Sequence, residues 1–180
     1  MLEDKYPWLK TKYYGTDKTY NALNSLPQGW IYAFGELMCS DLDEVIRRDN
    51  LTEFCFSDAK EKWGHMDIYS YGGNDETDNI IEDYSVLSEN ICGICGKPDV
   101  YMTLAGWMYP CCEDCWNEGK LNNARPYQDC IDPKHDTGRM NDKRIVRRYS
   151  DKDGYKDIEY DISDKAEHIR KHWKERQDAS

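Results

Sequence analysis

Two cysteine pairs limit how this chain can fold more than any other feature: Cys92 and Cys95 in ICGICGKP, then Cys112 and Cys115 in PCCEDC. Each pair encloses two residues, and 16 residues lie between the pairs. The C-x2-C spacing lets two thiolates turn inward on one tight knuckle, and two knuckles fill a tetrahedron with Zn–S distances of about 2.3 Å. Gly93 and Gly96 follow the first two cysteines and suit a backbone that bends around sulfur, where φ > 0 is often needed. The spacing therefore predicts one structural zinc ion held by Cys92, Cys95, Cys112 and Cys115. Two disulfides or a redox C-x-x-C are the competing readings. A redox motif, however, does not come twice at ribbon spacing and requires a βαβ setting. A closed four-sulfur site leaves no corner for water or substrate, so it explains folding and leaves function open. Cys111 could compete for the metal, but only Cys112 stands in C-x2-C with Cys115. Cys39, Cys55 and Cys130 fall outside the pattern and read as single thiols.

The length, 180 residues, suits one domain of moderate core with a small appended module. No run of 18 apolar residues occurs, so no membrane-spanning helix is expected. MLEDKYPWLK lacks the apolar segment of a signal peptide. Eight cysteines without a secretory signal point to reduced thiols, metal and a cytoplasmic setting. The net charge of -11 is uneven: residues 1–90 hold 8 Lys/Arg against 18 Asp/Glu, residues 91–180 hold 16 against 17. Such a chain does not grip a phosphate backbone across its whole surface. It can present an acidic face to a basic partner, although surface charge is commonly only solubility. The 14 Tyr and 6 Trp favour protein contact where they are exposed and are ordinary core where they are not.

Residues 1–28 read as loop and short-helix material, punctuated by Pro27 and Gly29. Ile31, Phe34, Met38, Leu42 and Val45 recur at helical spacing and predict a helix over 30–49. Residues 53–60 and 65–71 alternate as a hairpin around Lys62, Trp63 and Gly64, with Phe54, Phe56 and Asp58 sharing one face. Asn74 or Asp75 caps a helix over 75–89, with Ile80, Ile81, Tyr84 and Leu87 inward. This helix carries Asp75, Glu76, Asp78, Glu82, Asp83 and Glu89 and no Lys or Arg, which makes a negative ridge. A zinc ribbon spans 91–116, with short strands over 100–104 and 107–109. Residues 117–142 read as an ordered loop. Residues 143–150 and 155–162 form a second hairpin, and Ser163 or Asp164 caps a last helix to about 176. The fold class is α+β: helices on a small antiparallel sheet, an embedded four-cysteine zinc ribbon and a C-terminal β-hairpin and helix. The segments are a body over 1–90, the ribbon over 91–116, the loop over 117–142 and the hairpin and helix over 143–180.

Several runs in combination, QGW (28–30), AKEKWGHMDIYSYGG (59–73), YSVLSEN (84–90) and ICGICGKP…GWMYPCCEDC (91–115), resemble an uncharacterised family of phage- and prophage-encoded zinc-ribbon proteins. Relatives show a Lys-Glu-Lys-aromatic-Gly turn, an aromatic strand, an acidic helix and then the ribbon. The likeness covers roughly residues 5–116. It implies a zinc ribbon and a mobile-element setting in a bacterial host cytoplasm, and it carries over no catalytic residues.

Outside the cysteines the chemistry is weaker. Lys60, Lys62 and Trp63 read as a binding loop or simply as a charged turn. IDPKHDTGRM (131–140) faintly echoes an HNH nuclease run, with Asp132, His135 and Asp136 as metal and base. That run follows both cysteine pairs here, where the nuclease arrangement puts it between them, and a solvated loop is the better reading. His168 and His172 share a helix face without an H-E-x-x-H motif. The basic stretch 134–148 either binds phosphate through Lys143, Arg144, Arg147 and Arg148 or pairs internally with the acidic helix. The expectation is a non-enzymatic zinc-binding protein. It contacts a host protein with a basic surface through Asp75, Glu76, Asp78, Glu82, Asp83, Lys60, Lys62 and Trp63, as an inhibitor of a nucleic-acid-binding defence effector. The alternative is a nucleic-acid binder using the 139–148 segment.

Overall fold

The computed structural model describes residues 1–13, 15–100, 102–104, 108–118, 125–126, 140, 142–150 and 154–179; for 102–104, 108–109, 125–126 and 148–150 it describes the backbone alone. It is an α+β fold. The N-terminal segment is more ordered than its composition implies: helical turn α1 (Leu2–Lys5), 3-10 turns Pro7–Leu9 and Ala22–Ser25, and hairpin β1 (Thr11–Lys12) and β2 (Thr19–Tyr20). A helix then runs as α2 (Gln28–Trp30), a π-helical segment (Ile31–Gly35) and α3 (Glu36–Arg48). Phe34, Met38, Leu42 and Val45 of the expected stripe are buried, and Ile31 lies partly buried beside them.

Strands β3 (Cys55–Lys62) and β4 (His65–Tyr71) form the expected hairpin with two differences. Lys62 pairs with His65, so the turn is only Trp63–Gly64. The register also shifts between Phe56 and Asp58. Strict alternation would put Asp58 on the core face beside Phe56. The bulge turns Ala59 inward instead and leaves the carboxylate exposed, which avoids burying an unpaired charge. Thr11 Oγ1 and Tyr20 OH donate to the carbonyls of Phe56 and Ser57 at 2.8 and 2.7 Å and cover this bulge.

Helix α4 (Asp75–Ser88) starts where Asn74 accepts from the backbone N–H of Glu76 and Thr77 at 3.0 Å, while Thr77 Oγ1 accepts from Asn74 N at 2.9 Å. This reciprocal cap satisfies donors that the helix itself cannot. Ile80, Ile81, Tyr84 and Leu87 face the core, and Tyr84 stacks on Phe34 with ring centroids 5.5 Å apart. Ser88 Oγ accepts from Met66 N at 2.8 Å, and Ser85 Oγ donates to Met66 O, so α4 also covers the edge of β4.

A three-stranded sheet follows, ordered β6 (Met108–Pro110), β5 (Met102–Leu104), β7 (Arg125–Pro126), with α5 (Glu113–Asn117) after β6. Strand β7 falls in the segment expected to be loop; two residues with proline give no sequence signal for a strand, and an edge position tolerates the missing N–H. The second hairpin is β8 (Lys143–Ser150) and β9 (Gly154–Asp161), followed by α6 (Ser163–Asp178). The α6 cap differs from expectation: neither Ser163 nor Asp164 caps, and Asp161 Oδ1 instead accepts from Ser163 N at 2.9 Å and Oγ at 2.6 Å. Ile162, Ala166 and Ile169 join the same core as Trp30, Phe34 and Leu42. Among the described residues no helix is long and apolar enough to cross a membrane.

Candidate metal centre

The first knuckle is built by backbone hydrogen bonds. Cys92 N donates to Lys97 O at 2.9 Å, and Gly96 N donates to Cys92 O at 2.8 Å, closing a turn in which Gly96 has φ 81°. The knuckle is docked on the start of the long helix. Gly29 N donates to Gly93 O at 2.9 Å, and Trp30 Nε1 donates to Ile91 O at 2.9 Å. A Cβ at Gly29 would sit 2.6 Å from the Gly93 carbonyl carbon, so only glycine permits this approach. Gly93 N donates to Pro110 O at 3.0 Å and ties the knuckle to the ribbon strands. In the second knuckle Cys112 caps α5, its Sγ accepting from Cys115 N at 3.5 Å.

The two turns bring the sulfurs of Cys92, Cys95, Cys112 and Cys115 within 4.8 Å of one another, with Cys95 and Cys112 3.6 Å apart. A tetrahedron of about 2.3 Å metal–sulfur bonds has edges of about 3.8 Å, so the cage needs little contraction to fit an ion. Three of the four cysteines are buried and Cys95 is partly so. Cys112 completes the cluster; the neighbouring Cys111 thiol donates to Cys112 O at 3.4 Å. Hydrogen bonds from Cys111 and Cys95 hold the Cys92 thiol well below the usual cysteine range, and the same contacts push Cys95 and Cys111 well above it. Burial, and then the charge on Cys92, push Cys115 up to about 12. The cage therefore favours negative charge on one sulfur and keeps protons on others, and a cation must displace those protons to bind. Four converging thiols in a closed cage can hold a metal ion as a folding element, with no position left for substrate. Among the described residues no other group of three His, Cys, Asp or Glu side chains converges in this way.

The structure divides the acidic ridge. Glu76 is paired with Arg48, which also holds Asp49, and Asp83 is clamped between Arg144 at 2.7 Å and Lys165 at 3.2 Å. These two acids face a cleft of about 450 Å³ between α3, α4 and α6 and are spent on internal pairs. Asp75, Asp78 and Glu82 are exposed and have no cationic partner among the described residues. Glu89 is half-buried, and that burial pushes its carboxyl above its ordinary value. Lys60 pairs with Asp58 at 3.2 Å, and Lys62 with Asp67 at 3.6 Å. Trp63 is 65% exposed with φ 55°.

At Arg144 the basic segment takes the internal one of its two expected roles, pairing with the acidic helix, and the phosphate-binding role expected of that residue does not hold. Arg144 is only 4% exposed; it donates to Asp83 and, at 2.9 Å, to Asn79, and its guanidinium lies over Tyr160. It is an internal anchor and is not presented to phosphate. The physical reason is burial: a guanidinium there must be paired, and the acidic helix supplies the carboxylate. Lys143 and Arg147 are exposed and pair across the hairpin with Glu159 and Asp157, each at 2.8 Å. Of Arg148 only the backbone is described. Asp132, His135 and Asp136 lie outside the described residues, as does Cys130.

Sequence reasoning missed the docking role of Gly29 and Trp30, although QGW stood out as a run, and the fork of Arg170 on Asp99 at 2.8 and 2.9 Å. No local pattern announces either, because each joins residues more than sixty positions apart. Comparison with protein-family models, curated proteins and solved structures finds no match to this chain.

Proposed function

We infer that this chain is a zinc-stapled, non-enzymatic interaction protein that works by contact with another protein. Zinc is the ion expected in a closed cage of four thiolates. The observation that carries the contact reading is Trp63. A tryptophan in the left-handed region costs on the order of 1–2 kcal/mol relative to an unstrained position. Both turn residues, Trp63 and Gly64, have positive φ, at 55° and 85°, and such a turn favours Asn-Gly. Among the described residues no ring stacking or cation contact with Trp63 offsets that cost, and Trp63 is 65% exposed. A local rule broken without structural return is a mark of function, and tryptophan is among the residues enriched at the energetic centres of interfaces.

The resemblance to phage and prophage zinc-ribbon proteins, the acidic charge and the exposed aromatic face together support a host partner with a basic surface in a bacterial cytoplasm. A nucleic-acid-binding defence effector, inhibited by occupation of its basic groove, is the partner class that fits. The test is affinity capture from host lysate with wild type and with Trp63→Asn, followed by activity assays of the captured protein. A partner retained by wild type, lost with the variant and inhibited on binding supports the reading. Binding with full retention of the partner's activity overturns inhibition; capture indifferent to Trp63 overturns the contact site.

A further inference from the structure

The four sulfurs of the cage are not equally placed. Cys92, Cys112 and Cys115 are buried, and Cys95 alone of the four is partly exposed. The Cys95 sulfur also lies 3.6 Å from the Cys112 sulfur on the opposite knuckle. A disulfide bond is about 2.05 Å long, so an approach of about 1.5 Å joins these two sulfurs.

The two knuckles differ in what holds them. Cys92 sits at the docked base of the first: its N–H donates to Lys97 O at 2.9 Å, and the next residue, Gly93, accepts from Gly29 N at 2.9 Å. The backbone of that knuckle fills the space where a Gly29 Cβ would stand. Cys92 therefore has little room to shift toward Cys95. Cys112 opens the five-residue helix α5, and the exposed pair of Lys97 with Asp114, at 3.2 Å, bridges the two knuckles. That side of the cage is the freer one to move.

A metal-bound cage holds all four sulfurs as thiolates. Thiolate character together with exposure selects a cysteine for oxidation, and a second sulfur beside it resolves the product. Cys95 meets both conditions, with solvent on one side and Cys112 on the other. Cys39 is buried in the main core, and Cys55 lies half-buried on β3, outside the cage.

We propose that Cys95 is a peroxide-reactive modification site, whose oxidation ends in a Cys95–Cys112 disulfide that opens the metal cage. This rests on the reading of the chain as zinc-stapled, and it adds an oxidant that releases the staple. The Cys95 thiolate attacks one oxygen of hydrogen peroxide. The O–O bond breaks, hydroxide leaves, and Cys95 becomes a sulfenic acid, oxidised by two electrons. The Cys112 thiolate then attacks the Cys95 sulfur; the S–S bond forms, the S–O bond breaks and a second hydroxide leaves. Two protons from solvent turn both hydroxides into water. Two of the four ligands are consumed, and Cys92 with Cys115 no longer makes a closed four-sulfur site. The new bond links the same two knuckles that the ion linked, so a thiol reductant restores the cage.

The test uses the full chain reconstituted with zinc, its zinc content measured first by elemental analysis. Hydrogen peroxide is added stepwise, zinc release is followed with a chromogenic indicator, and disulfides are mapped by differential alkylation and tandem mass spectrometry. Zinc should leave in proportion to peroxide consumed. Cys95 and Cys112 should share a disulfide while Cys92 and Cys115 stay open to alkylation, and dithiothreitol with added zinc should return the metal. Cys111→Ser, a change outside the cage, should release zinc within about two-fold of the wild-type rate. The proposal is overturned by a disulfide between Cys92 and Cys95, by one that includes Cys111, or by release without any disulfide. Release slowed about ten-fold or more in Cys111→Ser overturns it too, because Cys111 would then be the resolving thiol. A chain that takes up no zinc overturns the zinc-stapled reading and this proposal with it. One that holds zinc in excess peroxide overturns this proposal alone.

Discussion

The two long hairpins have similar strands and opposite circumstances. In β3–β4 one face is buried: Phe56, Ala59 and Met66 are closed off by the core, and α4 covers the edge of β4. In β8–β9 most described side chains face solvent, Ile145 at 65% and Tyr155 at 72% exposed. A two-stranded hairpin is marginal in water unless something packs on it. The first is held by apolar burial along its length. The described anchor of the second is polar and sits at its root, where Arg144 enters the body and meets Asp83. The lesson is that alternation predicts both hairpins, while attachment depends on what each face meets.

The candidate metal centre lies between the hairpins in sequence, and loss of an ion held there is expected to give the largest effect. Cys112→Ser, or chelation, removes a stabilisation on the order of 10–16 kcal/mol from the ribbon. Hydrogen exchange should then show protection lost over residues 91–118 and kept in β3–β4, whose burial on α4 does not pass through the cage. Acid should mimic this. Binding requires thiolates, and Cys95 and Cys115 hold their protons more tightly than a free cysteine. Metal affinity therefore falls as pH falls, which a competition titration with a chromogenic chelator at pH 7.5 and 5.5 measures. Affinity that is flat across this range would argue against thiolate ligation.

The polar anchor gives the next effect. Asp83→Ala leaves Arg144 buried without its principal carboxylate, a cost of about 3–5 kcal/mol. Denaturant unfolding reads the loss, and exchange should place the first opening in β8–β9. If β3–β4 opens equally early, the two hairpins are not attached independently. Met66→Ala is the matching change in the first hairpin and should cost about 2–5 kcal/mol through the cavity it leaves. Its exchange pattern should be global, because Met66 belongs to the main core. The smallest effect has the opposite sign. Trp63→Asn relieves the left-handed strain and should raise stability by about 1 kcal/mol. Thermal melting checks this, and a variant that is more stable yet fails to capture a partner would separate function from folding.

Local chemistry made much of the molecule legible in advance. The knuckles follow from C-x2-C spacing, the cap of α4 from Asn74, and the inward faces of α3 and α4 from periods of three and four, because each depends on residues a few positions apart. The bulge at Ser57, the docking of Gly29 on the knuckle and the capture of Arg144 by Asp83 were decided only by tertiary structure. Each sets one long-range contact against another, and the outcome depends on which group can leave water with its charge or hydrogen bonds satisfied. The acidic helix illustrates both levels: composition announced six acids without a counter-charge on the helix, and only packing determined that Glu76 and Asp83 are paired with cations while Asp75, Asp78 and Glu82 have no such partner among the described residues.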